Sequence, residues 1–305
     1  MTRHTIRIAT RKSDLALWQA HHVADLLKAQ PDVEDVVLVP MVTKGDRILD
    51  RSLNKIGGKG LFIKELEHAM LEDEADIAVH SMKDVPATMP EGFMIACVLE
   101  RADPHDALVG STLDALPQGA VVGTSSLRRS TQLAKLRPDF DIRPLRGNVN
   151  TRLAKLDAGD YDAIVLACAG LQRLGMAERI AESLPPTKML PAVGQGIVGI
   201  ECLSSKPELA ALLKRLESTQ SAQAIAAERA VAMKLDATCH SPLGVHAVIN
   251  TEGSLTVKAL LSSTDAKEVI EAATSGPADK ASALGEAIAM EMLEKGAARL
   301  IEQSI

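Results

Sequence analysis

Val79-His80-Ser81-Met82-Lys83-Asp84-Val85-Pro86 is the stretch that decides the fold. It continues Ala75-Asp76-Ile77-Ala78-Val79, a short apolar run rich in β-branched residues that reads as a buried strand. An amphipathic helix pattern precedes it, with Phe62, Leu66, Ala69 and Met70 on one face. A helix followed by such a strand predicts a βαβ unit with a parallel sheet. In sheets of that kind ligands bind outside the carboxyl ends of the strands. Ser81, Lys83 and Asp84 fall at such an end. Pro86 keeps Val85 out of the α region, so Asp84 leaves the sheet on an extended or turning backbone. Taken alone, the same charges also suit an ordinary solvated strand-end loop.

Upstream, Ile6 to Thr10 reads as a first strand and Val36 to Thr43 as the next. Between them a helix pattern runs through Leu15, Trp18, Val23, Leu26 and Leu27, with Ser13 or Asp14 as its cap. Arg11 and Ser13 then sit at a strand end beside a helix N-terminus, which suits an anion as well as a plain cap. Lys44 to Gly60 is a polar loop ending Asn54-Lys55-Ile56-Gly57-Gly58-Lys59-Gly60. Its spacing is not that of a phosphate-binding P-loop. It reads as a plain flexible loop or as a lid over an anionic substrate.

Downstream, Met94 to Glu100 reads as a strand and Arg101-Ala102-Asp103-Pro104 as a hinge. A second α/β series starts at Val121-Val122-Gly123-Thr124-Ser125-Ser126. A helix follows through Leu127, Leu133 and Leu136, then a strand near Ile142, a helix through Leu153 and Leu156, and the strand Tyr161 to Cys168. Gly196 to Ile200 reads as a strand returning to the first domain. Ser221 to Leu235 is helical, Asp236 to Pro242 a loop, and Val245 to Ile249 and Leu255 to Leu261 strands, with two helices after them. The expected division is residues 1–99 with 196–217 as one α/β domain, 100–195 as a second, and 218–305 as a small α+β domain.

Composition removes several classes of function. The 305 residues allow two or three domains. One Trp, one Tyr and three Phe cannot build base-stacking platforms, and a net charge of -6 argues against nucleic acid and anionic membranes. No apolar run is long enough to span a bilayer, and Met1 to Arg7 lacks a signal-peptide core, so a cytoplasmic protein is expected. Cys97, Cys168, Cys202 and Cys239 lie far apart without a CxxC pair, so neither a metal cluster nor a disulfide framework is expected.

Within Thr124 to Arg152 lie Arg128, Arg129, Lys135, Arg137, Arg143, Arg146 and Arg152, opposed only by Asp139 and Asp141. Guanidinium forks suit carboxylates and phosphates. A solvated helix face accounts for Lys135 and Arg137. Arg128, Arg129, Arg146 and Arg152 lie near strand-to-helix junctions and point to a small polyanionic ligand. Cys97, Cys168 and Cys202 sit in apolar strand contexts, where cysteine is inert. Cys239 sits in a turn with Pro242 and Gly244 and is the candidate for covalent chemistry.

The chain resembles the porphobilinogen deaminase family from end to end. The resemblance rests on Arg7 to Arg11, Gly57 to Phe62, His80 to Pro86, Gly123 to Arg129, Leu145 to Asn148 and Pro191 to Gly196, in that order. It implies an α/β fold with two periplasmic-binding-protein-like domains around a cleft and a small α+β C-terminal domain. It implies a dipyrromethane cofactor fixed by a thioether to Cys239. The implied activity is that of a hydroxymethylbilane synthase, which condenses four porphobilinogens head to tail, releasing ammonia, in tetrapyrrole and haem biosynthesis. Asp84 is the implied catalytic group. Lys83, Asp84, Ser81, Thr124, Ser126, Arg128, Arg129, Arg146 and Gln195 are implied to hold the cofactor. Arg11, Ser13, Arg146, Arg152, Lys55, Lys59 and Phe62 are implied to hold substrate. A monomer without metal is implied. The family usually has two small residues before the cysteine, where Ala237 and Thr238 stand, and Ser241 also departs from its pattern. The competing reading is a non-catalytic two-lobed binder of a polycarboxylate. Cys239 separates the two, since a binder needs no covalent anchor.

Overall fold

A computed structural model describes residues 4–43, 63–238 and 240–304. The chain divides into two compact units, Met1–Arg101 with Ile197–Ala222, and Ala102–Gly196 with Gln223–Ile305.

The first unit is built on β1 (His4–Arg11), β2 (Val33–Met41), β3 (Ile77–Ser81), β4 (Phe93–Val98) and β10 (Val198–Leu203), in sheet order β2-β1-β3-β10-β4. β1 runs parallel to β2 and β3, whereas β10 runs antiparallel to β3 and β4. β3 is central and its first four residues are buried, as a strand covered on both faces requires. Helix α1 (Asp14–Lys28) turns Ala20, Val23, Ala24 and Leu27 onto one face of the sheet. Helix α6 (Pro207–Lys214) adds Leu212 and Leu213 there. On the other face, α2 (Lys64–Leu71) packs Leu66, Ala69 and Met70 against Ala9 and Ala78. These are the one-sided stripes that the helical spacing of the apolar residues predicts.

The second unit contains two sheets. Strands β5 (Asp106–Val109), β6 (Val121–Gly123), β7 (Asp141–Arg143), β8 (Ala163–Ala167) and β9 (Ile180–Leu184) take the order β7-β6-β8-β5-β9. Here too the first three strands are parallel and an antiparallel strand, β5, lies between the third and the last. Both five-stranded sheets thus share one topology, each receiving an antiparallel strand from across the crossover. Helices α3 (Leu127–Leu136), α4 (Val149–Asp157) and α5 (Cys168–Arg173) cover this sheet with Leu133, Leu153 and Leu171. The other sheet is an antiparallel meander of β11 (Leu243–Ile249), β12 (Ser254–Ser262) and β13 (Val269–Pro277). Helices α7 (Thr219–Lys234), α8 (Ala281–Glu294) and α9 (Ala297–Glu302) belong to the same C-terminal part, and α8 and α9 pack on the meander.

The strand at Gly196 to Ile200 does return to the first sheet, as β10. Three expectations differ. β5 falls between the expected hinge and the expected second series, where no strand is expected, because it is only four residues long and opens on a charged residue. β13 was missed between β12 and the final helices, because its half facing water is polar. Cys168 begins α5 rather than ending a strand, and it remains buried.

Candidate functional site

In the first unit two strand ends carry the relevant groups. Arg11 is the last residue of β1, and Ser13 caps α1 through its extended backbone, its side chain making no cap bond. Met82–Asp84 form a single 3₁₀ turn at the exit of β3. Val85 then takes φ -82° and ψ 130°, the extended conformation that Pro86 imposes. Arg11, Ser13, Gln19, Ser81 and Asp84 line one small cleft of about 60 Å³. Gln19 Nε2 donates to Ser81 Oγ at 2.8 Å. The Asp84 carboxylate is exposed, and Lys83 beside it is half-buried. Sequence reasoning placed Arg11, Ser13, Ser81 and Asp84 separately, and the structure brings them together. Lys55, Lys59 and Phe62 lie outside the described residues, as does Cys239.

In the second unit the arginines converge on an acid that sequence reasoning missed. Thr124 leaves β6 buried, and its Oγ1 accepts the Ser126 N–H at 3.2 Å. Ser126 caps α3 by its backbone alone, its hydroxyl making no cap bond. Arg128 and Arg129 occupy the first turn of α3, and both are buried. Arg128 donates through Nη1 to Asp106 Oδ2 at 2.7 Å and through Nη2 to Oδ1 at 3.2 Å. Arg129 donates through Nε to Asp106 Oδ1 at 2.9 Å and through Nη1 to the Val165 carbonyl at 2.9 Å. Gln195 Nε2 reaches the same Asp106 oxygen at 3.1 Å. The two guanidinium groups outweigh burial and hold the Asp106 carboxyl far below the usual range. Burial pushes the Arg129 guanidinium below its ordinary value despite Asp106. Among the described residues the two guanidinium groups share the one carboxylate of Asp106.

The loop after β7 supplies the rest. Gly147 takes φ +112°, and a Cβ there would lie 2.6 Å from Thr151 Cγ2, so only glycine fits. Asn148 Oδ1 accepts the Thr151 N–H at 2.9 Å and caps α4. Arg152 Nε donates to the Gly147 carbonyl at 2.8 Å, and Arg146 is half-buried beside it. Burial first, and then the charge of Arg146, hold His240 below its ordinary value. Arg146 therefore acts on the residue that follows Cys239. Around that cysteine the two unusual residues clasp each other. Thr238 N–H donates to Ser241 Oγ at 3.1 Å, and Ser241 N–H donates to the Thr238 carbonyl at 3.0 Å. Thr238 takes no positive φ, so it sits there without the strain a branched residue would meet in the left-handed region. Glu228, fully buried on α7, accepts the Gly194 N–H at 2.7 Å and the Ala247 N–H at 2.8 Å, tying the Gln195 segment to β11.

Of the remaining basic residues Lys135 and Arg143 are exposed, whereas Arg137, expected on a solvated helix face, is half-buried at the end of α3 and donates to the Leu113 and Leu116 carbonyls. Lys135 pairs with Glu271, Arg137 with Asp139 and Arg143 with Asp141. The buried thiols are inert: burial pushes Cys97 up to about 12, and Cys168 and Cys202 up to about 11.

These features define an α/β protein with a strand-end carboxylate in one unit and a buried arginine–carboxylate cluster in the other. Residues 6–211 match the family model described as porphobilinogen deaminase, dipyromethane cofactor binding domain, and residues 222–294 match that of the porphobilinogen deaminase C-terminal domain. The chain belongs to the porphobilinogen deaminase family. Its activity is that of a hydroxymethylbilane synthase, a deaminating transferase of tetrapyrrole and haem biosynthesis that condenses four porphobilinogens. Its cofactor is dipyrromethane.

Among solved structures, the chain is similar to the periplasmic aliphatic sulphonate binding protein SsuA from Escherichia coli. The identity is 11%, the TM-score 0.43, and the match covers 100% of this chain and 90% of that one. It is similar to the periplasmic VFT2 domain of BvgS from Bordetella pertussis at 15% identity and TM-score 0.42, covering 70% and 86%.

The residues present fit the cofactor. A dipyrromethane built from two porphobilinogens carries acetate and propionate carboxylates. The guanidinium groups of Arg128 and Arg129, and Arg146 near the cysteine turn, are what such an anion requires.

Proposed function

We propose that Asp84 is the catalytic carboxylate and that the arginines of the second unit hold the carboxylates of cofactor and growing chain. The observation that carries this is the exposed Asp84 at the exit of β3, lining one cleft with Arg11, Ser13 and Ser81. Porphobilinogen loses ammonia and becomes a cationic methylene-pyrrolenine. Asp84 faces that cation and lowers its energy as it forms. A unit charge pair at 4 Å contributes about 4 kcal/mol at an effective dielectric near 20. That is roughly a thousandfold in rate when the interaction develops only in the transition state. When bound, the dipyrromethane supplies the pyrrole α-carbon that the incoming ring joins. Asp84 also accepts the substrate pyrrole N–H and takes up the displaced ring proton at a carboxylate oxygen.

Arg11 and Ser13, at the β1 exit, bind substrate carboxylates, with Lys55, Lys59 and Phe62 assigned to the same task by family pattern. Arg146 and Arg152 serve the growing chain, each charge-assisted bond contributing about 1.5–3 kcal/mol. Thr124, Ser126 and Gln195 orient the cofactor with Arg128 and Arg129. Cys239 anchors it. The chain works as a cytoplasmic monomer of three domains, residues 1–99 with 196–217, 100–195 and 218–305.

Asp84→Asn keeps the shape and loses the charge. In single-turnover release of ammonia by cofactor-loaded, folded enzyme it should be slower by at least about a thousandfold. A rate within tenfold of wild type would pass the central role to another residue. Asp84→Glu keeps the charge and should retain more activity than Asn.

A further inference from the structure

Behind the β3 exit lies a buried polar pair that the reaction as described leaves unused. His80 Nε2 is 2.7 Å from Glu201 Oε2, and their side chains are 6% and 0% exposed. Gly199 stands opposite His80, and Glu201 opposite Ala78. His80 and Glu201 therefore share one face of the sheet, the face covered by α2. The pair is a diagonal clasp between β3 and β10. Beside it Gly199 leaves a notch, since a Cβ there would meet Met82 Sδ at 2.2 Å. Met82 opens the turn that ends in Asp84, and its N–H donates to the Ile197 carbonyl at 2.9 Å. The root of the turn is thus held by notch and clasp on one face and by the Gln19–Ser81 bond on the other. Glu67 on α2 senses the pair: burial, then Glu201, raise its carboxyl above the usual range, and His80 opposes them.

A buried ionisable pair is a poor source of stability, and apolar residues of similar volume often replace one at no cost. Hydrogen-bonded groups fix direction and register more narrowly than apolar packing does. We propose that His80, through Glu201, is a positioning residue that fixes the β3 exit and thereby aims Asp84. The inference rests on the assignment of Asp84 to catalysis.

The test is the double variant His80→Leu/Glu201→Met in the full, cofactor-loaded chain, beside Asp84→Asn. The double variant should unfold at or above the wild-type temperature. Its kcat should fall at least about tenfold with KM within about twofold, the signature of lost aim rather than lost binding. The Met82 and Val85 amides should exchange hydrogen at least about tenfold faster. Wild-type kcat with wild-type amide protection overturns the proposal. If the double variant is unstable, Glu201→Gln and Glu201→Ala decide. Gln keeps the acceptor for His80 and should stay within about threefold of wild type, while folded Ala should lose about tenfold. Equal turnover in the two also overturns it. A normal Asp84→Asn overturns the Asp84 assignment instead, and the amide protection still judges the clasp.

Discussion

Asp106 shows most clearly how one residue organises the buried arginine cluster of the second unit. It accepts from Arg128, Arg129 and Gln195 at once, with no exposure to solvent. Asp106→Asn keeps the shape but leaves two buried guanidinium groups without their counter-charge. That should cost about 3–5 kcal/mol in urea unfolding. Its pH dependence has a definite sign. The folded carboxyl lies below its unfolded value, so its stabilisation is present above about pH 4 and is lost as pH falls toward the folded value. The wild type should therefore lose stability below about pH 4, and Asp106→Asn should show a flatter acid limb in the same range. An unchanged acid limb would contradict the pairing. Asp84 and the arginines were legible in the sequence because charge at a strand end, beside Gly or Pro, departs from core patterning. Asp106 was not, because its partners stand 22 and 23 positions away and only the crossover of β5 brings them together.

Among the elements, the turn around Cys239 carries its own prediction. Thr238 departs from the small residues expected before the cysteine and Ser241 from the apolar or β-branched residue expected before Pro242, yet the two hydrogen-bond each other. Ser241→Ala removes the acceptor of the Thr238 N–H, a loss of about 1 kcal/mol. The apo chain should then take up cofactor more slowly when supplied with porphobilinogen, followed as mass gained against time. Loading at the wild-type rate would show that the clasp is incidental. At this scale the long amphipathic helices and buried central strands were legible, α1 and β3 above all, since periodicity and apolar runs are local signals. β5 and β13 were not. One is four residues opening on a charge, and the other spends half its length facing water.

Over the whole molecule the two five-stranded sheets share one strand order. Each sheet takes one antiparallel strand from across the crossover. The return of Gly196 to Ile200 to the first sheet was legible from its apolar run. Its reciprocal, β5 entering the second sheet, needed the structure. A covalent anchor on Cys239, as proposed, would distinguish a synthase from a binder. Intact mass of freshly purified protein, from cells that make porphobilinogen, tests this most directly, with peptide mapping of the adduct. The mass should exceed that of the sequence by one dipyrromethane unit carried on the Cys239 peptide, with Cys97, Cys168 and Cys202 unmodified. An unmodified chain, or an adduct on any other cysteine, would contradict the account.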